Sequence, residues 1–379
     1  MKEFQINNKI NWKKYRQEFP ALNTYAYLNT AGGCPLATSV KNAGVQFYNA
    51  MEQHGDIPWN KWIVQIEDTR KKVALSINAD IEEVAFLSTA TQATNLVSRM
   101  LPKGGVLMLH NEFPSTSLPW IHQNYPVIFV ETPHDLTELF TNLKKAVRPD
   151  TRYLVTSHTH YMTGFRHDLK ELSAFCKDYN LKLILDATQS FGSIPIDVKK
   201  DFIDIMWFSG YKYALAGYGV AVIYINQSLL KEMKISEVGW NSAEDHGEMG
   251  YDRIVIKKGT AALETGHPPF AGIFALNKGL DILLEISLEA IHERLTELTS
   301  YLISSLVENE MDIDFPIAEK YRSPIVMINV EDANKIKKKL IQQNIFVGKH
   351  KNQLRVSLNF YNTFKDIDRF VKAMKEFEH

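Results

Sequence analysis

Short apolar runs separated by segments with helical spacing dominate the middle of the chain. The runs occupy positions 84–87, 106–109, 125–130, 181–186, 203–208 and 220–225. Runs of this kind are typical of strands that are buried on both faces. Segments with apolar residues at helical spacing, such as 93–101, 135–146 and 168–179, lie between several of them. This alternation predicts a mainly parallel sheet with right-handed crossovers.

The two ends of the chain have a different pattern. Positions 11–22, 39–52 and 61–78 predict helices, and 25–28 predict a strand. From residue 288 onward the pattern predicts helix 288–307, strand 325–330, helix 333–343, strand 353–358 and helix 365–377. This last part is typical of a smaller α+β domain with its own sheet. Residues 236–262, with charged residues from 244 to 252, predict a surface excursion. We therefore expect a large domain at 24–275 and a small domain formed by 1–23 and 276–379.

A carboxylate and an amine follow two of the apolar runs. Asp186 ends the run 181–186, and Lys212 follows the run 203–208 on a short turn. Ligands of open α/β sheets bind beyond the carboxyl ends of the strands. This pair is what pyridoxal phosphate (PLP) requires, because a lysine forms a Schiff base with it and an acid keeps its ring nitrogen protonated. A buried ion pair is the alternative, and the two residues alone leave both possibilities open.

The sequence around this pair resembles a known family. The motif DATQSFG at 186–192, the D-x-x-D spacing at 201–204 and FSGYK at 208–212 are similar to the cofactor core of the class V aminotransferases. That family also includes cysteine desulfurases, kynureninases and isopenicillin N epimerase-like enzymes. The resemblance covers nearly the whole chain. It implies a fold-type I PLP-dependent transferase, in which a mainly parallel seven-stranded sheet flanked by helices forms the large domain beside a smaller α+β domain.

The resemblance also implies roles for residues near this pair. Lys212 would bind PLP and later act as the general base, and Asp186 would hold the ring nitrogen. Gln189 would hydrogen-bond the ring hydroxyl, while Ser209 and Tyr211 would hold the phosphate. Tyr211 departs from the family, which often has a histidine before the lysine.

The segment STATQATNLV at 88–97 reads as a turn and the start of a helix after a strand. The beginning of a helix offers unpaired N–H groups and a positive dipole end, which together suit a phosphate group. Simple N-capping explains the same hydroxyl residues, and the segment alone favours that explanation. The resemblance instead implies phosphate binding by the Ala90 backbone N–H and by Thr91.

Further positions are assigned through the resemblance. Phe113 matches the ring that stacks on the cofactor in relatives, with an ordinary core phenylalanine as the alternative. Tyr161 stands where relatives place a hydrogen-bonding residue toward the ring hydroxyl. His267 replaces a threonine that commonly reaches the phosphate of the neighbouring subunit, so the resemblance implies a homodimer whose sites are completed across the interface.

The substrate side is assigned in the same way. Arg355, in LRVSLNFYNTF, matches the arginine that binds the substrate α-carboxylate, for which a guanidinium offers two parallel donors. A solvated arginine at a strand end is the alternative. Asn29 and Thr30 lie in the segment that borders this carboxylate in relatives.

The motifs do not determine which bond breaks. We expect transamination of an amino acid or amine, with lyase or epimerase chemistry as the alternative. Desulfurases of this family carry a nucleophilic cysteine before the closing arginine motif, whereas IFVGKHKNQLRVS contains none, so we do not expect that activity. A PLP-binding sensor without turnover is a more distant alternative.

A metal-dependent hydrolase is equally distant. His158 and His160 form an H-x-H pair that would share one face of an extended segment, and Asp186 would complete the ligands. A second ligand motif such as H-E-x-x-H does not accompany the pair. We therefore expect PLP and no metal.

Composition narrows the remaining choices. The 379 residues carry 43 basic and 44 acidic side chains, for a net charge of −1, which favours neither nucleic acid nor an anionic membrane as a partner. The two cysteines form no disulfide framework, and neither a secretory signal nor a transmembrane run is evident. We expect a cytoplasmic enzyme whose partners are a small-molecule substrate and a second copy of the chain.

Overall fold

Two β-sheets organise the chain. The computed structural model describes residues 10–131, 138–244, 253–314 and 318–376. The strands are β1 (Ala26–Leu28), β2 (Val84–Leu87), β3 (Gly105–Leu109), β4 (Val127–Val130), β5 (Thr151–Ser157), β6 (Lys182–Asp186), β7 (Ile205–Ser209), β8 (Ala221–Ile225), β9 (Ile313–Asp314), β10 (Ile325–Asn329), β11 (Ile345–His350) and β12 (Gln353–Ser357). The helices are α1 (Trp12–Gln17), α2 (Thr38–His54), α3 (Trp59–Ile77), α4 (Ala90–Met100), α5 (Pro114–His122), α6 (Leu139–Ala146), α7 (Leu169–Asp178), α8 (Gln227–Leu230), α9 (Phe270–Ile286), α10 (Leu288–Glu308), α11 (Ala333–Gln342) and α12 (Phe364–Lys375).

The larger sheet has seven strands in the order β2-β8-β7-β6-β5-β3-β4. Strands β4, β3, β5, β6 and β7 run parallel to one another, and β8 is antiparallel to both β7 and β2. The prediction of a mainly parallel seven-stranded sheet is therefore confirmed. Because the parallel strands share a direction, the loops after them meet at one edge of the sheet.

Helices cover both faces of this sheet. Along β3, Leu107 and Leu109 belong to the core on one face, whereas Val106 and Met108 belong to the core on the other. Successive strand residues point to opposite faces, so a strand covered twice must be apolar at every position. This is the physical reason for the nearly continuous apolar runs in the sequence.

The smaller sheet has the order β1-β11-β12-β10-β9. Its strands are antiparallel except for β1, which runs parallel to β11 with Ala26 opposite Ile345. The predicted boundary at residue 24 would assign β1 to the large domain, whereas its hydrogen bonds place it in the sheet of the C-terminal strands. The domain boundaries themselves stay a prediction.

Several elements differ from those predicted. Helix α1 ends at Gln17, before residue 22, because Pro20 begins a separate 3-10 turn. Helix α5 and strand β11 have no counterpart among the predicted elements. Of the predictions on 135–146, 244–252 and 365–377, the parts at 135–137, 245–252 and 377 lie outside the described residues. Across the described ranges, we find no helix with the length and apolarity required to span a membrane.

Candidate active site

A cavity of about 370 Å³ opens at the carboxyl edge of the parallel strands. It collects most of the predicted site residues from loops that are far apart in the sequence. Its walls are formed by Thr89, Ala90, Thr91, Phe113, Ser115, Ser157, Thr159, Tyr161, Asp186, Thr188, Gln189, Ser209, Tyr211, Lys212 and Tyr218. Some residues that the sequence predicts for the site are not part of this wall, namely Asn29, Thr30, His267 and Arg355.

Asp186 is the last residue of β6 and is buried. Its Oδ2 accepts a hydrogen bond from the Thr116 hydroxyl at 2.8 Å, and its Oδ1 accepts one from the Thr188 backbone N–H at 2.9 Å. Each carboxylate oxygen can accept more than one hydrogen bond. The acid is thus fixed in orientation and retains acceptor capacity toward the cavity.

Lys212 follows β7 on a tight turn and is also buried. At Gly210 a side-chain Cβ would lie 2.6 Å from Val220 Cγ1 and 3.0 Å from Val220 O, so this turn requires glycine. Burial lowers the pKa of Lys212 to about 7, Asp186 opposes that shift, and Arg355 adds to it. In the described ranges, no carboxylate lies within 4.0 Å of the Lys212 amine. A large share of the amine is therefore neutral and nucleophilic at neutral pH.

The first turn of α4 supplies free N–H groups to the cavity. Thr89 caps the helix by accepting from Gln92 N at 3.1 Å, so the capping explanation is correct for this residue. The next two N–H groups, of Ala90 and Thr91, have no intrahelical acceptor, as at any helix start. The Thr91 hydroxyl donates to Ser115 Oγ at 2.9 Å. One helix start thus combines a capped turn with the donors that a phosphate would use.

Phe113 and Tyr161 form an aromatic wall. Their ring centroids lie 5.1 Å apart at an interplanar angle of 86°, and Lys212 Nζ lies 6.0 Å from the Phe113 centroid. Phe113 is 41% exposed, so its ring faces the cavity instead of the core. Beside it, the buried Glu112 accepts 2.8 Å hydrogen bonds from Ser157 N and from the Thr156 hydroxyl. These bonds tie the aromatic loop to the end of β5.

Several polar atoms in the wall have no partner. Gln189 Nε2 donates to Ala31 O at 3.1 Å, but Gln189 Oε1 and the hydroxyls of Thr159 and Thr188 are buried without a hydrogen bond. Buried polar atoms of this kind are costly unless a ligand or water pairs with them. The wall therefore offers an acid, an amine, unpaired polar atoms and a helix start. PLP, with its ring nitrogen, aldehyde, hydroxyl and phosphate, fits this set.

Arg355 lies on β12, behind Tyr161, outside the cavity wall. Its Nη1 donates to Tyr161 O at 2.9 Å, its Nε is buried without a partner, and burial lowers its pKa. Asn29 Oδ1 is likewise buried without a partner. A Cβ on Gly348 would lie 2.6 Å from Asn29 Oδ1 and 3.2 Å from Arg355 Nε, so this glycine brings the two side chains together. Arg355 is thus a partly buried cation and not a solvated arginine at a strand end.

Thr30 and His267 lie elsewhere. The Thr30 hydroxyl is buried and shares a 2.9 Å hydrogen bond with the Tyr361 hydroxyl. His267 is exposed, with its ring centroid 5.8 Å from that of Trp59 and 5.0 Å from that of Trp240. Neither side chain reaches the cavity of its own chain.

Sequence reasoning missed several residues in or next to the wall. Thr116, Ser157, Thr159 and Thr188 supply the hydrogen bonds and free hydroxyls described above, and the ring of Tyr218 stacks on Tyr211 at 4.6 Å. A signal existed for Thr116, because Pro114 is typical of a first helical turn. A signal existed for Thr188 as well, since it lies inside the DATQ motif.

The candidate metal-binding pair, His158 and His160, is buried, and His160 is hydrogen-bonded to other groups of the protein. His160 Nδ1 contacts Thr163 Oγ1 at 3.1 Å and its Nε2 contacts Asn111 O at 2.9 Å. Burial lowers the pKa of His158 well below its ordinary value. Across the ranges that the structure covers, we find no group of three histidine, cysteine, aspartate or glutamate residues set to hold a metal ion.

The fold and the cavity define a fold-type I PLP-dependent enzyme. The family model "Aminotransferase class-V" matches residues 26–370, and the chain belongs to this family. It is 25% identical to an uncharacterized aminotransferase, YcbU, of Bacillus subtilis over 94% of this chain and 95% of that protein. It is also 25% identical to a probable cysteine desulfurase of Borreliella burgdorferi over 98% of each chain.

Solved structures share the fold. Cysteine desulfurase from Thermococcus onnurineus NA1 superposes with a TM-score of 0.87 at 22% identity, covering 96% of this chain and 97% of that one. The cystine C-S lyase C-DES superposes with a TM-score of 0.86 at 20% identity, covering 93% and 98%. A C-DES mutant that carries glycine covalently linked to PLP superposes with a TM-score of 0.87 at 20% identity, covering 94% and 98%.

Proposed function

We propose that the protein is a PLP-dependent enzyme that acts on the α-amino group of an amino acid, and that it is an aminotransferase. The observation that carries the proposal is the pair formed by Lys212 and Asp186. Both are buried, both line one cavity, and they follow neighbouring parallel strands. When bound, PLP supplies an electron sink for the electrons left at the α-carbon.

The wall residues divide the task of holding the cofactor. Lys212 would bind it covalently, Asp186 would hold its ring nitrogen, and Gln189 would pair its free Oε1 with a donor on the ring. The N–H groups of Ala90 and Thr91, with the Ser209 hydroxyl, would hold the phosphate. Phe113 would cover one face of the ring and keep water from it.

Lys212 and Arg355 would handle the substrate. With a pKa of about 7, the freed Lys212 amine accepts the α-proton at neutral pH without being locked as ammonium. Arg355 keeps one guanidinium N–H group on Tyr161 O and has further donors for a carboxylate. Asn29 lies next to Arg355, against Gly348, and would orient the same carboxylate.

Cysteine chemistry argues against a desulfurase, although several relatives carry that name. Burial raises the pKa of Cys34 to about 12, and its Sγ lies 3.7 Å from the Tyr361 hydroxyl. Cys176 is buried in α7, and burial raises its pKa to about 12 as well. A thiol must ionise to act as a nucleophile. Neither cysteine in the sequence meets this requirement.

Elimination from the β-carbon is the second candidate. It needs the same base and the same electron sink, but no thiolate from the protein. The similarity to the cystine C-S lyase fold favours it over epimerisation. Because elimination and transamination use Lys212 identically, only the products separate them.

A homodimer is part of the proposal. Large apolar side chains are exposed on α2 at Val45, Tyr48 and Met51 and on α3 at Val64. The first three recur at every third position, so they lie near one another on one helix face. A second copy of the chain would cover this face, and its exposed His267 would be the residue offered to the neighbouring site. Light scattering of the purified protein measures the mass.

The test of the proposal uses the purified protein and a panel of amino acids. A visible absorbance band that disappears in Lys212→Ala and persists in the exposed control Lys177→Ala supports PLP bound at this lysine. Transfer of the amino group to a 2-oxo acid identifies an aminotransferase. Release of ammonia with a 2-oxo acid and a sulfur product identifies the lyase, and a colourless protein overturns the proposal.

A further inference from the structure

A second cavity, of about 320 Å³, lies between helix α10 and the segment 318–324. Arg166, from the loop between β5 and α7, reaches into it from the side of the larger sheet. This cavity shares no lining residue with the candidate active site. It is therefore a separate cavity, built where the two sheets and their helices meet.

Arg166 brings a positive charge on which Asp168 and Glu319 act only from a distance. Its Nε and Nη2 donate to Lys320 O at 2.9 and 2.6 Å, and its Nη1 donates to His292 Nε2 at 3.2 Å. In the described part of the chain, no carboxylate lies within 4.0 Å of its guanidinium. Burial also lowers its pKa. A partly buried cation that no carboxylate contacts is unfavourable, and an anion relieves the cost.

The hydrogen bonds leave Arg166 with free donors. A guanidinium has five N–H groups, and three of them point at Lys320 O and His292. His292 must carry no proton on Nε2 to accept this hydrogen bond, so its ring is neutral and adds no charge to the cavity. The two remaining N–H groups belong to Nη1 and Nη2, whose geometry suits a planar or tetrahedral oxyanion.

Thr299 gives an independent indication. Its side chain is 4% exposed, lines the same cavity, and has a hydroxyl without any hydrogen-bond partner. On the same helix, the Thr296 hydroxyl donates to His292 O at 2.9 Å, so α10 can satisfy a threonine internally. The Thr299 hydroxyl instead has no partner in the protein, on a side chain that lines the cavity, and we take it as a donor for a bound group.

The charged side chains in the cavity wall are mostly basic. Lys320 and Arg322 line it together with Arg166, whereas Glu319 is the carboxylate in the wall. Lys320 is paired with Glu171, outside the wall. Glu319 makes no ion pair with Arg166, so it does not cancel that charge by contact.

We propose that this cavity binds a small oxyanion, a carboxylate or a phosphate group, between the Arg166 guanidinium and the Thr299 hydroxyl. The ligand would join a loop of the larger sheet to α10, and would thereby stabilise the contact between the two parts of the molecule. A ligand that binds only the folded protein raises its stability in proportion to the logarithm of its concentration. The proposal does not depend on the proposed function of the other cavity.

The test is a thermal-unfolding titration of the PLP-saturated holoenzyme. Sodium phosphate and sodium succinate are titrated separately, with sodium chloride holding the ionic strength constant. The visible cofactor band is followed throughout, so that displacement from the active site is detected. We expect a saturable rise in Tm of at least about 2 °C with one of the two anions, and the anion that gives it identifies the ligand chemistry.

Variants decide where the anion binds. Arg166→Gln should abolish the saturable rise, Thr299→Val should weaken the apparent affinity about fivefold, and the exposed control Arg369→Gln should leave it unchanged. An equal rise in wild type and Arg166→Gln overturns the proposal, as does the absence of saturation with both anions. If Arg166→Gln does not fold, Thr299→Val decides alone, because an unchanged affinity in that variant contradicts the site.

Discussion

The Thr116 hydroxyl donates a 2.8 Å hydrogen bond to Asp186 Oδ2, joining the first turn of α5 to the end of β6. The second oxygen of the same carboxylate is held by the Thr188 N–H. Asp186 is thus oriented by two different segments before any ligand arrives. Prior orientation of this kind is what allows a charge to act without reorganising during the reaction.

Asp186→Asn should remove most of the turnover while the protein still folds. An amide cannot hold a proton on the ring nitrogen as a carboxylate does, and a hydrogen bond to a charged group contributes about 1.5–3 kcal/mol. We expect kcat/KM to fall roughly 10–150-fold. Steady-state kinetics with cofactor-saturated protein measure the loss, with circular dichroism as the check on folding.

Thr116→Val is the matched control for Asp186→Asn. It keeps the carboxylate and removes one of its two neutral donors, so we expect a loss of about fivefold. Full activity in Asp186→Asn would contradict the electron-sink role. A larger loss in Thr116→Val than in Asp186→Asn would assign the effect to helix α5 instead.

The pH dependence of cofactor capture should follow the Lys212 amine. Its pKa is lowered to about 7 from an ordinary value of 10.5, so the rate at which cofactor-free protein binds PLP should rise through pH 7 and then level off. Asp186 raises this pKa and Arg355 lowers it. The midpoint should therefore fall in Asp186→Asn and rise in Arg355→Gln. Stopped-flow absorbance gives the midpoints, and a wild-type value near 10.5 would refute the assignment.

The lowered pKa of Lys212 also makes the stability of the cofactor-free protein depend on pH. Between pH 7 and 10.5 the unfolded chain carries a proton on Lys212 that the folded, cofactor-free protein has lost. The free energy of unfolding contributed by this group therefore rises with pH across that window and is lowest below pH 7. Urea titrations of wild type and Lys212→Met at several pH values isolate this contribution.

Arg355→Gln should weaken the binding of amino acids much more than that of simple amines. The variant removes a charged donor set from the substrate carboxylate, which simple amines lack. We expect roughly 10–150-fold weaker apparent affinity for an amino acid and less than about twofold for its decarboxylated amine. Spectral titrations of the holoenzyme compare the two, and equal effects would rule out a carboxylate clamp.

The double variant Cys34→Ala/Cys176→Ala should keep its turnover within about twofold. Both thiols have pKa values raised to about 12 by burial, so neither supplies a thiolate near neutral pH. Product formation by the wild-type and variant proteins is compared under identical conditions. Complete loss of turnover in a folded variant would restore a desulfurase mechanism.

The sequence predicted the larger sheet and its central residues because burial on both faces leaves a strong signal. Strand β6 is buried at every position after Lys182 and β7 at every position, so an apolar run marks each strand, and the polar residue at or after its end stands out. Asp186 and Lys212 were located in this way. Other wall residues, such as Thr159 and Thr188, lie in loops, where no periodicity distinguishes a hydroxyl that faces a cavity from one that faces water.

Two elements were missed for different physical reasons. Pro119 lies inside α5 and removes a helical hydrogen bond, so local rules predict a break. The fully buried Trp120, packed on Tyr125 at 5.0 Å, stabilises that helix by contacts that local rules do not contain. Strand β11 ends in Lys349 and His350, and these polar residues are typical of a loop, so the sequence pattern does not indicate a strand. Its pairing with β1 depends on residues at the other end of the chain.

The pairing of Ala26 with Ile345 makes the site late to assemble during synthesis. Strand β1 leaves the ribosome before its parallel partner β11, which begins only at Ile345. Contacts between residues this far apart form slowly, because a very long loop must close first. The segment after β1 carries Ala31, whose carbonyl holds Gln189 in the cavity wall. A nascent chain can therefore fold its larger sheet while remaining unable to close its cavity, which delays capture of the cofactor until β11 is in place.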